Sequence, residues 1–211
     1  MALQKKDELN NLIAIPYEQY FGEMGLSKEE IARRIELAEM LDDVFIMLFT
    51  LIKAEKAASE ILDVDYLVGY AERHYKDVLS EVGIDYLEKY PWLNSHITQA
   101  AEEVIKQNEK KPDDEWNVSD DRAMLIAENE TNSVYEYVAF QDAVDSGKTR
   151  KTWNTMLDSK VRHTHADIEA LTIPIMERFY VGNYEMYQPK DTSLGAGMEE
   201  IAGCRCWCTY Q

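Results

Sequence analysis

The sequence predicts an α+β protein with a helical N-terminal region, a long central helix and a small C-terminal α+β unit with short strands. Up to residue 147 the apolar residues recur at helical spacing, whereas short runs of β-branched and aromatic residues follow. A polar break at residues 110–115, which contains Pro112, is the strongest linker candidate. We therefore expect a helical region over residues 1–115 and a second domain over residues 116–211.

The first helix is predicted to begin after Ser27. Ser27 and Glu30 have the spacing of a capping box, in which each side chain bonds to the other residue's backbone amide. The apolar positions that follow at helical spacing are Ile31, Ile35, Ala38 and Leu41. We expect the helix to continue towards Ala58.

Two further helices are predicted before the break. One covers residues 65–82, and Gly83 stands where a helix C-terminus favours a residue that tolerates positive φ. The next is capped by Asn94 or Ser95 and runs to Lys110.

The central helix is expected to start near Ser119 and to end before Gly147. Glu130 lies on its apolar face, four residues from both Ile126 and Val134. A carboxylate in that position is costly to bury unless it is paired. The sequence leaves open whether Glu130 forms a buried ion pair, lies on a face that turns to solvent, or reaches as a site residue towards the C-terminal half.

Short strands are predicted in the last third of the chain. They cover residues 150–156, parts of residues 171–181, and a terminal strand over residues 201–210. Pro174 places its segment at the edge of a sheet, because proline cannot donate to a central ladder.

Composition and charge restrict the class of partner. The chain has 211 residues, of which 45% are hydrophobic, and 40 acidic against 22 basic residues give a formal charge of −18. A chain of this composition can bury a core, and its acidic surface disfavours nucleic acid and anionic lipid, so we expect protein partners. Contact with DNA would require a single local basic patch, formed by Lys148, Arg150, Lys151, Lys160, Arg162 and Arg205.

Neither a secretory signal nor a membrane span is expected. The first ten residues are polar. The longest apolar run, residues 44–52, has nine residues including one threonine, whereas a span needs about 20. The three cysteines, Cys204, Cys206 and Cys208, are an odd and clustered set, which favours reduced thiols over disulfides.

Several residues that can carry chemistry lie within residues 158–167. If this segment is helical, Arg162 lies one turn after Asp158 and the two can pair. His163 and His165 would then point in nearly opposite directions, so one of the two is the expected site residue.

The cysteine cluster has three interpretations. On a strand, residues two apart share a face, so all three sulfurs would line one side. Two thiolates and a histidine, His163 or His165, can hold zinc. The same thiols can instead fill a sheet core, or one of them can be a nucleophile activated by an imidazole.

The order of these motifs resembles a known family. The succession is Arg122 to Asn132 around Glu130, then Lys151-Thr-Trp153, Asp158, Val161-Arg162, His165-Ala-Asp167, Ile173-Pro174, Phe179, Pro189-Lys-Asp191-Thr and Gly203-Cys204-Arg205-Cys206. It resembles the phage Mu F-like family of minor head proteins, also called phage head morphogenesis proteins.

The resemblance implies a minor structural protein of a tailed-phage virion rather than an enzyme. Such proteins associate with the portal in the capsid interior, are assembled in the host cytoplasm, and are connected with DNA packaging or ejection. The family's core positions would correspond to Glu130, Asp158, Arg162, His165, Cys204 and Cys206. A metal- or thiol-dependent enzyme or effector that uses the Asp/His/Cys cluster is the alternative.

The chain departs from the family pattern at identifiable positions. The family commonly has a glycine where Ala170 stands, an arginine where Glu128 stands and an asparagine where Gly203 stands. His163 replaces other residues, and Cys208 is an additional cysteine.

Overall fold

The computed structural model describes residues 21–58, 62–84, 89–109 and 117–211. The predicted α+β class is confirmed. The chain divides into two compact units. We call Ala32–Thr131 the helical unit, and Asn132–Gln211 with the described residues up to Ile31 the C-terminal unit.

The division falls inside the central helix rather than between residues 115 and 116. Helix α4 (Asp120–Asp145) crosses the boundary between Thr131 and Asn132. Its first half buries Ala123 and Ala127, and its second half buries Phe140 and Ala143. The predicted linker at residues 110–115 lies outside the described residues.

The first helix begins and ends as the sequence predicts. Helix α1 (Lys28–Ala58) follows a capping box in which the Ser27 amide donates to Glu30 Oε2 at 2.8 Å and the Glu30 amide donates to Ser27 Oγ at 3.2 Å. Its buried apolar face includes Leu37, Leu41, Phe45, Leu48 and Ile52.

Helices α2 (Val64–Glu81) and α3 (Pro91–Glu109) pack against each other in the helical unit. Gly83 has φ +80° just after α2, as its position predicts. Helix α3 begins at Pro91, so the predicted cap at Asn94 or Ser95 is wrong. Proline is favoured as the first residue of a helix, where its missing amide costs nothing. Helix α4 is capped by Ser119, whose Oγ accepts from the Arg122 amide at 3.3 Å.

The C-terminal unit contains a three-stranded antiparallel sheet. Its order is β2 (Thr172–Pro174), β1 (Arg150–Asn154) and β5 (Trp207–Tyr210), so Pro174 lies on an edge strand as predicted. The register pairs Lys151 with Ile173 on one side and with Tyr210 on the other. A hairpin of β3 (Phe179–Val181) and β4 (Tyr184–Met186) forms a second sheet.

Two short helices lie in the last third of the chain, where the sequence predicted mainly strands. Helix α5 (His163–Ala166) follows the loop after β1. Helix α6 (Met198–Ile201) occupies the start of the predicted terminal strand, which is wrong for residues 201–206, since β5 begins only at Trp207. Among the helices of the described residues, none is long and apolar enough to cross a membrane.

Candidate metal centre

Three predicted ligands converge in the C-terminal unit. His165 is brought in by α5, and Cys204 and Cys206 lie in the turn between α6 and β5. Nδ1 of His165 is 3.3 Å from Sγ of Cys206 and 3.6 Å from Sγ of Cys204. All three side chains are at most 3% exposed. We call this set the His–Cys centre.

The spacing of the His–Cys centre fits a tetrahedral ion. Zinc with bonds of about 2.0–2.3 Å places neighbouring nitrogen and sulfur ligands about 3.5 Å apart. The two nitrogen–sulfur distances lie close to that value, and the three ligand atoms are all within 4.8 Å of one another. The His–Cys centre could therefore hold a metal ion.

Glu200 orients the histidine from the opposite side of the ring. Its Oε2 lies 2.9 Å from Nε2 of His165 and accepts a hydrogen bond of 2.9 Å from Thr164 Oγ1. A carboxylate in this position fixes the tautomer that leaves Nδ1 free to bind a metal. Gly182 backs Glu200 so closely that a Cβ there would lie 2.7 Å from Oε1.

The pKa values of the two thiols in the His–Cys centre are shifted in opposite directions. A hydrogen bond with Cys206 holds the pKa of the Cys204 thiol well below its usual range, although burial acts the other way. The same hydrogen bond, together with burial, raises the pKa of Cys206. The Cys206 amide also donates to Sγ of Cys204 at 3.5 Å.

The third cysteine is placed differently. Cys208 lies on β5, where its amide donates to Glu136 Oε2 at 3.2 Å, and burial raises the pKa of its thiol. The expectation that all three sulfurs line one strand is wrong, because Cys204 and Cys206 precede β5. The sulfurs still share one apolar cluster with Trp153, whose ring meets His165 edge-on at 5.5 Å.

The choice between the two histidines is resolved, and the predicted ion pair is replaced by another. His165 is buried, whereas His163 is exposed. Asp158 pairs with Arg205, which donates from Nη2 to Oδ1 at 2.9 Å and contacts Oδ2 from Nη1 at 2.7 Å. The predicted pairing with Arg162 is wrong, because residues 158–162 are not helical and Arg162 Nη2 donates to the Ala202 carbonyl.

A small open pocket adjoins the His–Cys centre. His165 and Cys206 line it together with Val161 and Gly203. The remaining lining residues are the cations Lys160, Arg162 and Arg205. We call it the cationic pocket.

Glu130 belongs to another network. Its Oε2 is 2.8 Å from Nε2 of His96 and accepts a hydrogen bond of 3.1 Å from the Tyr75 hydroxyl, all within the helical unit. Of the alternatives for this carboxylate, the buried pair is the correct one. The pairing of His96 with Glu130 could not be predicted, because no spacing in the sequence connects the two residues.

Two other buried groups were not expected from the sequence. Lys151 is fully buried, with its Nζ between 5.0 and 5.3 Å from the ring centres of Phe140, Phe179 and Tyr187. It therefore cannot contribute to the single basic patch that DNA contact would require. Asp191 is also fully buried, and accepts a hydrogen bond of 2.9 Å from the Tyr137 hydroxyl.

Comparisons of the chain with models of protein families, with curated proteins and with solved structures found no match. What this centre can do chemically follows from its own residues. It has two sulfur ligands, one imidazole ligand held by a carboxylate, and an opening lined by cations.

Proposed function

We propose that this protein is a minor head protein of a tailed phage that associates with the portal during assembly of the procapsid. The observation that carries the proposal is the convergence of motifs that lie far apart in the sequence. Trp153, His165, Cys204 and Cys206 come from three separate stretches of the resemblance and meet in one buried cluster. Their meeting in one cluster is what the proposal requires of residues that form a single structural site.

The backbone supports the same proposal at two positions where the chain departs from the family. Ala170 has φ +58° and Gly203 has φ +62°. Glycine and asparagine are the residues that adopt such conformations most readily. They are also the residues that the family commonly has at these two positions, so the departures occur where the family residue fits the local backbone.

In this proposal, zinc at the His–Cys centre stabilises the C-terminal unit. The ion would tie α5 to the turn before β5 and so fix the last strand of the sheet. Burial of all three ligands argues against a freely reactive thiol. The protein would act in the capsid interior at the portal, after assembly in the host cytoplasm.

The test is cosedimentation of the purified protein with the portal protein encoded by the same phage. We expect the protein, loaded with about one zinc ion, to sediment with portal rings. Cys206→Ser should lose both zinc and portal binding, whereas Cys208→Ser, which removes a cysteine outside the centre, should keep both. A zinc-loaded protein that stays in the supernatant would contradict the portal proposal and leave the metal site standing.

The second candidate is a thiol enzyme, because His165 lies between a cysteine sulfur and a carboxylate. Cys204, His165 and Glu200 have the order of nucleophile, base and orienting group. This candidate requires metal-free protein with one thiol that reacts rapidly with iodoacetamide before unfolding and slowly in His165→Ala. Zinc content near one ion per chain, with thiols that react only after denaturation, would exclude it.

A further inference from the structure

We propose that the metal ion at the His–Cys centre keeps one coordination position open and binds a small oxyanion there, held also by Arg162. This inference rests on the zinc site proposed above. It adds a ligand class to that site: a carboxylate or phosphate group with one oxygen on the metal and another on the guanidinium.

The His–Cys centre has fewer protein ligands than a tetrahedral zinc ion takes. Within the described residues, the group of ligand atoms around this position contains one nitrogen and two sulfurs. Glu200 does not add a fourth, because its carboxylate bonds to Nε2 on the far side of the imidazole. Zinc takes four ligands in tetrahedral sites, and three protein ligands with an open position are typical of sites that bind an exogenous ligand.

The cationic pocket adjoins the metal position. The cationic pocket includes two of the three ligand residues, His165 and Cys206, so a molecule in the pocket lies beside the metal position. The pocket is small, so only a terminal oxygen of a carboxylate or phosphate group would enter it.

The charge of the cationic pocket differs from that of the chain as a whole. The chain as a whole carries a formal charge of −18, yet three cations line this pocket. Asp158 balances Arg205, with which it forms a two-point ion pair. Lys160 and Arg162 are not balanced by Asp158 in this way, so the pocket favours an anion over a neutral ligand.

Arg162 is the residue expected to bind the second oxygen. One of its terminal nitrogens donates to the Ala202 carbonyl, which fixes the guanidinium at the rim of the pocket. The planar fork of arginine carries further donors that can bind a carboxylate or phosphate oxygen.

Cobalt substitution tests the proposal, because tetrahedral Co(II) reports its own ligands in the visible spectrum. The cobalt-loaded full chain is titrated with sodium phosphate and with sodium acetate at constant ionic strength, using sodium chloride as the reference. We expect a saturable change of the visible bands with at least one oxyanion. Phosphate alone, acetate alone or both identifies the anion that the pocket prefers.

Arg162→Gln should weaken anion binding about tenfold, the loss expected for one charge-assisted hydrogen bond, with cobalt content unchanged. Arg150→Gln is the matched control. Arg150 also donates to a backbone carbonyl, that of Thr172, but does not line the pocket, so its variant should bind the anion as the wild type does.

The outcomes separate the two proposals. Cobalt bands that respond to neither anion, or an Arg162→Gln variant that binds as tightly as the wild type, would overturn the oxyanion site and leave the metal site intact. Failure of the chain to bind cobalt or zinc at all would overturn both.

Discussion

Both units of the molecule bury a histidine that meets a glutamate through Nε2, but the two pairs serve different purposes. In the helical unit, His96 lies 2.8 Å from Glu130, which also accepts from the Tyr75 hydroxyl. In the C-terminal unit, His165 lies 2.9 Å from Glu200, and its Nδ1 faces two sulfurs. The same pair therefore satisfies buried polar groups in one unit and orients a candidate metal ligand in the other.

The backbones that carry the two pairs differ as well. Tyr75, His96 and Glu130 each lie within a long helix. The C-terminal unit uses four-residue helices and tight turns, and Ala170 and Lys190 adopt φ values of +58° and +64° there. Such conformations are costly without glycine, so these turns carry some backbone strain.

The largest expected effect is loss of the metal from the C-terminal unit. Cys204→Ser should abolish zinc binding and lower the free energy of unfolding by about 4 kcal/mol when free zinc is about 1,000 times the dissociation constant. Elemental analysis and thermal unfolding with and without chelator measure both. Cys208→Ser should remain sensitive to chelator. If Cys204→Ser and the wild type unfold alike in zinc, the cysteines only pack.

The next effect concerns the helical unit, where no metal should be involved. Glu130→Ala should lower the free energy of unfolding by about 3 kcal/mol, because it leaves two buried partners without their shared acceptor. Glu130→Gln, which keeps an acceptor oxygen, should cost less. Denaturant unfolding measures the difference, and a chelator should not change it. A chelator-dependent loss would mean that the two histidine pairs are not distinct in function.

Glu200→Gln makes the equivalent change in the C-terminal unit and should act on the metal. Outer carboxylates of this kind contribute about 10- to 100-fold to metal affinity, so zinc should bind that much more weakly. Competition with a coloured chelator measures the affinity. Glu199→Gln, on the same short helix but exposed and bonded to Tyr184, is the control and should bind zinc normally. Unchanged affinity in Glu200→Gln would make Glu200 a packing residue.

The helices could be predicted from the sequence because their signals are local. The capping box at Ser27, the glycine after α2 and the apolar spacing depend on residues within one or two turns. Glu130 could be identified as unusual for the same reason, since a carboxylate on an apolar stripe is costly wherever its partner lies. Its partner could not be found, because His96 lies 34 residues away on another helix.

The candidate site could be predicted only in part. His165 and the two cysteines were found because their residue types bind metals, but Glu200 was not, because one glutamate among many acidic residues carries no distinguishing signal. The ion pair of Asp158 was assigned to the local Arg162 rather than to Arg205, 47 residues away. Contacts between residues so far apart in the chain depend on how the short elements fold together. The sequence pattern does not contain that information.

Lys151 is the clearest case of a residue whose environment the sequence hides, and it gives a pH-dependent prediction. Burial lowers the pKa of Lys151 to about 8, whereas an exposed lysine titrates near 10.5. Between these values the unfolded chain holds the proton longer, so this group adds stability as pH rises through that window and costs stability below it.

Lys151→Met should therefore raise the free energy of unfolding at pH 7 by about 1–2 kcal/mol, because a buried charge is replaced by an apolar side chain. The gain over the wild type should shrink between about pH 8 and 10.5. Denaturant unfolding across that range measures it, with Lys148→Met, at an exposed turn position, as the control. A gain that does not change with pH would show that Lys151 keeps its proton.

The smallest effect tests the turns on which the C-terminal unit depends. Ala170→Gly should raise the free energy of unfolding by about 0.5–1 kcal/mol, because glycine adopts φ +58° without the strain of a Cβ. Ala202→Gly is the matched control, since Ala202 is also exposed but has φ −60°, and it should lose stability through the added freedom of the unfolded chain. Opposite signs for the two variants would establish that position 170 favours the residue common in the resembling family. If Ala170→Gly also loses stability, the turn tolerates alanine, and its departure from the family pattern no longer supports the resemblance.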